Sequence, residues 1–185
     1  LREQEVIVET YTREELKAIL KKPAKKGDFR EWRMWAIINY ILATGNRAAT
    51  VRNLRLQDID FQAKEITLAH TKNKKSQVIP LSSSLETVLK EYIRLWRAYA
   101  EPTDWLFCGV NEAQLSDTSI HQSIRKYNHS RGVQRTGLHA LRHTFAKEWI
   151  LNNGDVFRLQ KMLGHSTLEM TKRYVRMFNE DLRNL

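Results

Sequence analysis

LHALRHTFAKEWILNNGDVFRLQKMLGHSTLEMTKRY, residues 138–174, alternates helix signals with stop signals. The first part reads as a helix ended by the Asn-Asn-Gly at 152–154, and DVFRLQKMLG as a second helix closed by Gly164. His165 then falls in a loop. Ser166 reads as the N-cap of a third helix, with Glu169 completing a capping box. On the first helix His139 and Arg142 lie at i and i+3 and share a face. An imidazole beside a guanidinium can grip one phosphate, Arg through its planar fork and His by hydrogen bond or proton transfer. The same pair is equally at home as partly buried polar residues of a capped helix. His139 and His143 stand at i and i+4, a zinc-binding spacing. The intervening Ala-Leu-Arg does not make an HExxH motif, however, and Arg142 would repel a cation, so no metal is expected.

Tyr174 closes the segment, with Lys172, Arg173 and Arg176 around it. It is either an amphipathic side chain on a solvated basic face or a nucleophile. A free tyrosine, with a pKa of about 10, is phenolate to about one part in a thousand at neutral pH. It becomes a useful nucleophile only if cations stabilise the phenolate or a base takes its proton.

Upstream, YTREELKAILKK opens with a capping box, Thr12 and Glu15, and reads as a helix ending near Pro23. FREWRMWAIINYILATG is a strongly apolar helix stopped by Gly45, and NRAATVRNLRL starts a short helix. After a turn at QDID, EITLAH and SQVIPL read as two strands around the polar TKNKK. SSSLETVLKEYIRLWRAYA is a further helix, with Ser83 and Glu86 as its box. DWLFC is a short buried piece, and SDTSIHQSIRKYNHSRG is a basic helix. The fold class expected is mainly α with a small antiparallel β-sheet (α+β), in one domain over residues 1–185. Arg47 sits at the start of the short helix, where free N–H groups and the dipole favour anions. Its guanidinium either completes a phosphate site or merely caps the carbonyls of the preceding helix. Lys72, Lys74 and Lys75 fall on the hairpin tip, as a solvated loop or as cations that reach a DNA backbone or donate a proton.

The 185 residues carry a formal net charge of +10, with 42% hydrophobic and 28% charged residues. That balance favours polyanionic partners, nucleic acid first and an anionic membrane surface second. No apolar run approaches the roughly 20 residues that span a bilayer, and no signal-peptide core is visible. The single cysteine, Cys108, excludes an intramolecular disulfide and a cysteine-based zinc site, which fits a reducing, intracellular setting. The chain starts at Leu1 rather than Met, so the expectation is a piece of a longer protein.

In order, TGNR (44–47), TKNKKSQVIPL (71–81), HALRHTFA (139–146) and LGHSTLEMTKRY (163–174) resemble the catalytic domain of the tyrosine recombinase (phage integrase) family. The match runs over nearly the whole chain, from YTREEL onward. The resemblance implies that family's catalytic-domain fold and a site-specific recombinase or integrase. Such an enzyme cleaves and rejoins double-stranded DNA through a 3′-phosphotyrosine, without metal, ATP or any other cofactor. It implies Arg47 and Arg142 as a clamp on the scissile phosphate, Tyr174 as nucleophile and His139 as general base towards it. His165 would hydrogen-bond the phosphate, and Lys72 would protonate the leaving 5′-oxygen. Lys74 and Lys75 are fallbacks for Lys72; with Arg173 they are candidate DNA-backbone contacts. Thr50 departs from the pattern, since the family often carries an acidic residue three positions after the first arginine. The resemblance further implies an N-terminal DNA-binding domain outside this chain, a tetramer on paired DNA sites and a monomer for the isolated domain. It also implies a cytoplasmic, bacterial or phage-encoded protein with no membrane partner. The alternatives are a type IB topoisomerase-like enzyme, or a DNA-binding relative that has lost catalysis.

Overall fold

The computed structural model describes residues 8–69, 76–134 and 137–183. Within them lie eight helices and a three-stranded sheet, so the fold is α+β as expected. The centre is α2 (Phe29–Thr44). Its sequence is apolar on nearly every face, and a helix of that kind is stable only when enclosed. Trp32, Met34, Ala36, Ile37, Ile38, Tyr40 and Ile41 are all buried, among α4 (Ser83–Trp96), α5 (Asp117–Ser130) and α6 (Leu138–Leu151). α1 (Arg13–Ile19) is closed by the predicted Thr12–Glu15 box, with both hydrogen bonds formed. Tyr11 then ties this entry to α6, its N–H donating to Thr144 Oγ1 at 2.9 Å.

The sheet runs β1 (Ile59–Asp60), β2 (Glu65–Leu68), β3 (Gln77–Pro80) in antiparallel order. Ile66 faces Ile79, and both point into the core with Leu68, which is the period-2 alternation the sequence displays. The expected QDID turn is a 3-10 turn, Leu56–Asp58, running straight into β1. The sheet therefore gains a first strand too short to show a period in the sequence.

Two expected caps are corrected. α4 is capped by Ser82, not Ser83: the Ser82 hydroxyl accepts from Leu85 N–H, and Glu86 pairs with Lys64 and Lys90 instead. Three consecutive serines offered equivalent caps, and the burial of Leu85 and Leu89 selected the register. At the last helix, α8 (Leu168–Arg183), the Ser166 hydroxyl reaches Met170 Sδ at 3.7 Å, and Glu169 accepts from Arg176 at 3.3 Å. The helix starts two residues after Ser166, so the Ser166–Glu169 box is out of register.

The end of α2 positions everything that follows. Gly45 adopts φ 66°, in the left-handed region, and a Cβ there would lie 2.4 Å from Phe145 Cδ1 and 2.9 Å from Leu163 Cδ2. Only glycine satisfies both the dihedral and the close approach of α6 and α7 (Val156–Leu163). Asn46 follows, 4% exposed. Its Oδ1 accepts from the Tyr40 hydroxyl at 2.8 Å, and its Nδ2 donates to the Met162 carbonyl at 3.4 Å. The next residue, Arg47, is thereby held where α2, α6 and α7 meet. Gly45→Ala combines a left-handed non-glycine residue with overpacking. It should lower unfolding free energy by roughly 2–4 kcal/mol, read from the urea midpoint at constant m.

Candidate active site

Four of the sequence-predicted residues come together at the junction of α2, α6, α7 and α8. Arg47 is the N-cap residue of α3 (Ala48–Arg52) but makes no capping hydrogen bond. Its Nη1 instead donates to the Leu163 carbonyl at 3.4 Å, so it serves the end of α7 rather than the preceding helix α2. Arg142, 4% exposed, donates from Nη1 to Gly45 O at 2.6 Å. From Nη2 it donates to Leu163 O at 2.8 Å and to His165 Nε2 at 3.1 Å. The two guanidiniums thus converge on one carbonyl oxygen. Burial, then the charge of Arg47, bring the Arg142 pKa down to about 10, and it remains cationic at neutral pH.

His165 sits just after Gly164, whose left-handed φ of 62° ends α7. Its protonation pattern follows from its neighbours, because arginine can only donate. Nε2 therefore accepts from Arg142, and Nδ1 carries the proton, donating to Thr171 Oγ1 at 2.9 Å. Burial, then Arg142 and Arg47, hold the ring's pKa down at about 4, so it is neutral at pH 7. Thr171 is fully buried, and its hydroxyl could equally donate to Nδ1 if Nε2 took the proton to face an anion.

Tyr174 stacks on His165, ring centroids 5.8 Å apart and planes 9° off parallel, and on Phe178 at 6.0 Å. Its hydroxyl lies 2.7 Å from His143 Nδ1. Burial raises the phenol's pKa, while Arg142 first, then Arg47 and Arg173, oppose that rise. Arg173 thus contributes to the local field, whereas Arg176 is engaged by Glu169.

The cleft beside these residues has a volume of about 240 Å³. Arg47, Arg142 and His165 line it with Thr50, and Leu68, Ser76 and Gln77 complete one wall. The strand ends that flank residues 70–75 therefore border the cleft, and Gln77 is tied to α7 by a hydrogen bond to the Lys161 carbonyl. Lys72, Lys74 and Lys75 lie outside the described residues. His139 is exposed on α6 and stacks on His143, centroids 6.3 Å apart, one turn away from the Tyr174 hydroxyl. Among the described residues no group of three or more His, Cys, Asp or Glu side chains could hold a metal ion.

Two contributors escaped the sequence reading. His143 enters the sequence analysis only as a zinc-spaced neighbour of His139, yet one turn on from that residue it meets the Tyr174 hydroxyl. Thr171 stands one turn before Tyr174, and Thr171, Tyr174, Val175 and Phe178 form the i, i+3, i+4, i+7 stripe of the inward face of α8. That periodicity was the available signal for it.

The class is thus a helical domain with a small cleft lined by two arginines and a histidine, on which a tyrosine stacks. The Phage integrase family model matches residues 9–181, and the chain belongs to that family. Similar proteins include tyrosine recombinase XerA of Thermococcus onnurineus (strain NA1), 30% identical over 177 residues, covering 93% of this chain and 59% of that protein. Tyrosine recombinase XerC of Corynebacterium glutamicum is 28% identical, covering 80% of this chain and 47% of its own. The crystal structure of XerA recombinase superposes with a TM-score of 0.79 at 26% identity, over 100% of this chain and 64% of that one. A Tn1549 transposon integrase structure in complex with DNA, at 21% identity and a TM-score of 0.75, shares the fold. The chain spans about half the length of the curated relatives it matches. No described helix is long and apolar enough to cross a membrane.

The neutral histidines have a thermodynamic consequence. Unfolded, His143 and His165 titrate near 6.5; folded, each has a pKa of about 4. Between those values the unfolded chain binds more protons, so stability falls as pH drops. Both rings are half-exposed, which reduces the effect to on the order of 1 kcal/mol between pH 7 and pH 5. A His143→Gln/His165→Gln double variant should show a flatter stability–pH curve over that window in urea titrations.

Proposed function

We propose that this domain is the catalytic part of a site-specific DNA recombinase that cleaves and rejoins strands through Tyr174. The observation carrying the reading is that Arg47, Arg142 and His165 line one cleft of about 240 Å³, with Tyr174 stacked on His165. Tyr174 attacks the phosphorus in line, forming a 3′-phosphotyrosine and releasing a 5′-hydroxyl. Negative charge grows on the non-bridging oxygens in the transition state. Arg47 and Arg142 meet it as preorganised donors; a single donor of this kind contributes roughly 3–4 kcal/mol in other enzymes. His165 adds a hydrogen bond once its Nε2 carries the proton, which Thr171 permits by reversing its own hydroxyl. Lys72, with Lys74 and Lys75 as substitutes, protonates the leaving 5′-oxygen. His139, exposed on α6, is the residue to which the family resemblance gives the role of general base towards Tyr174. The phosphotyrosine bond conserves the energy of the broken phosphodiester, so a second 5′-hydroxyl can displace Tyr174 without ATP. The two guanidiniums supply the charge stabilisation that a divalent ion supplies elsewhere. The working assembly is a tetramer on paired sites.

Three outcomes test this. Tyr174→Phe should abolish covalent attachment to a nicked suicide duplex on a denaturing gel while changing DNA affinity by less than about twofold, since only the hydroxyl is lost. An adduct surviving the substitution would remove Tyr174 from the mechanism. Attachment should proceed unchanged in EDTA; strong inhibition would point to a metal nuclease. Binding should weaken steeply with salt, with log K falling by about 0.9 per phosphate neutralised, and a flat dependence would contradict backbone contacts as the main source of affinity.

A further inference from the structure

Tyr174 as it stands is a poor nucleophile. Burial raises its pKa, so the free protein holds a phenol whose proton must leave during attack. The arginines cannot take it, because a guanidinium carries only donors. Nor is His165 free to do so: its Nε2 already accepts from Arg142, and its Nδ1 faces Thr171. His139 is exposed, one turn further along α6. One acceptor is in contact with the hydroxyl, His143 Nδ1 at 2.7 Å. The direction of this hydrogen bond follows from the two groups themselves. A phenol O–H is a much stronger acid than the N–H of a neutral imidazole, and an imidazole lone pair is the better acceptor, so the hydroxyl proton points at His143 Nδ1. The ring is poised to accept it. His139 and Arg142, the charges that bear on it, both disfavour its protonation, and with burial, the largest cause, they hold its pKa at about 4. His143 is therefore neutral at pH 7, with its proton on Nε2 and a lone pair on Nδ1.

We propose that His143 orients the Tyr174 hydroxyl and is the group that takes its proton as the tyrosine attacks. This rests on the recombinase reading above and reassigns a role that the family resemblance gives to His139. As the Tyr174 Oη–P bond forms, the Oη–H electron pair supplies it and the proton passes to the Nδ1 lone pair. The P–O5′ bond breaks, and O5′ takes a proton from the general acid assigned to Lys72. In rejoining, imidazolium returns the proton to Tyr174 as it departs. A base of low pKa accepts the proton only as the phenol oxygen loses charge to phosphorus. Contact at hydrogen-bond distance and a placement fixed on a packed helix are thus the features that matter, and α6 supplies both.

Two measurements on the domain test this. In the free protein, long-range ¹H–¹⁵N imidazole spectra at pH 7 should show His143 as the Nε2–H tautomer. Its Nδ1 resonance should move on Tyr174→Phe. The opposite tautomer, or no response to Tyr174→Phe, overturns the proposal without touching the recombinase reading. With a nicked duplex, His143→Leu should slow covalent attachment by about 100-fold or more, the usual range for a general base. His143→Asn keeps an acceptor at the position of Nδ1 but cannot hold the proton. It should recover part of the rate and acquire a rate that climbs with pH, where the wild type is level above about pH 6. As a check on folding, both variants should join a 3′-(p-nitrophenyl phosphate) strand to a 5′-hydroxyl at near wild-type rate, because nitrophenolate leaves without a proton and Tyr174 is bypassed. Attachment by His143→Leu at the wild-type rate overturns the proposal. Equal loss of attachment and of nitrophenyl joining makes His143 a structural residue and also overturns it. If wild type forms no adduct while the imidazole spectra show the pairing, the recombinase reading is what fails.

Discussion

Leu163's carbonyl oxygen holds two guanidiniums together. Arg142 and Arg47 both donate to it, at 2.8 and 3.4 Å, and two like charges so close would separate without a common acceptor. The carbonyl is available because of how α7 ends. Its last carbonyls carry the negative end of the helix dipole and lack partners within the helix. Gly164, in the left-handed conformation, turns the chain back so that its own N–H and that of His165 cover Lys161 and Gln160. The Met162 and Leu163 carbonyls are left over. Asn46 takes the first and the arginine pair the second. An ordinary helix stop is thereby converted into the fixture of the site.

The same economy of contacts governs the rest of the cleft. Gly45 closes α2 against Phe145 and Leu163, and its carbonyl receives Arg142. The residue that lets three helices meet thus also supplies an acceptor for the central arginine. Tyr174 is held by packing rather than by charge: His165 and Phe178 stack on its ring while Lys147 lies over Phe178 at 5.8 Å. Its position is set by the inward face of α8, and the basic residues beside it in sequence are secondary.

The sequence made most of this legible because the helices are bounded by strong local signals. The Thr12–Glu15 box, Gly45 and Gly164 each encode a single geometry, and all appear where expected. Arg47, Arg142, His165 and Tyr174 could be named because motif spacing brings together residues far apart in the chain. Less legible were choices settled by tertiary contact. Three serines before α4 are equivalent until Leu85 must be buried, and β1 is too short to carry a period. Spacing alone assigned His139 and His143 to one face of α6, but could not say which of them would meet α8. Lys72, Lys74 and Lys75 fall outside the described residues, so the hairpin's role rests on motif order. Backbone carbonyls as partners for the arginines are invisible to any reading of side chains.

That last point bears on Thr50, an uncharged residue that lines the cleft. An arginine held by a carboxylate loses much of its charge to its partner; one held by carbonyls keeps it, at the cost of a less stable protein. Here Arg142 donates to two carbonyls and a neutral imidazole, and Arg47 to a carbonyl. The field in the cleft therefore stays close to two full positive charges. Burial first, and neighbouring cations after it, hold the pKa values of Arg142, His143 and His165 down. A phosphate entering the cleft would relieve the repulsion that folding has to overcome. On the recombinase reading proposed above, binding and stability are coupled through the same two arginines, with Thr50 leaving the charge for the ligand to neutralise.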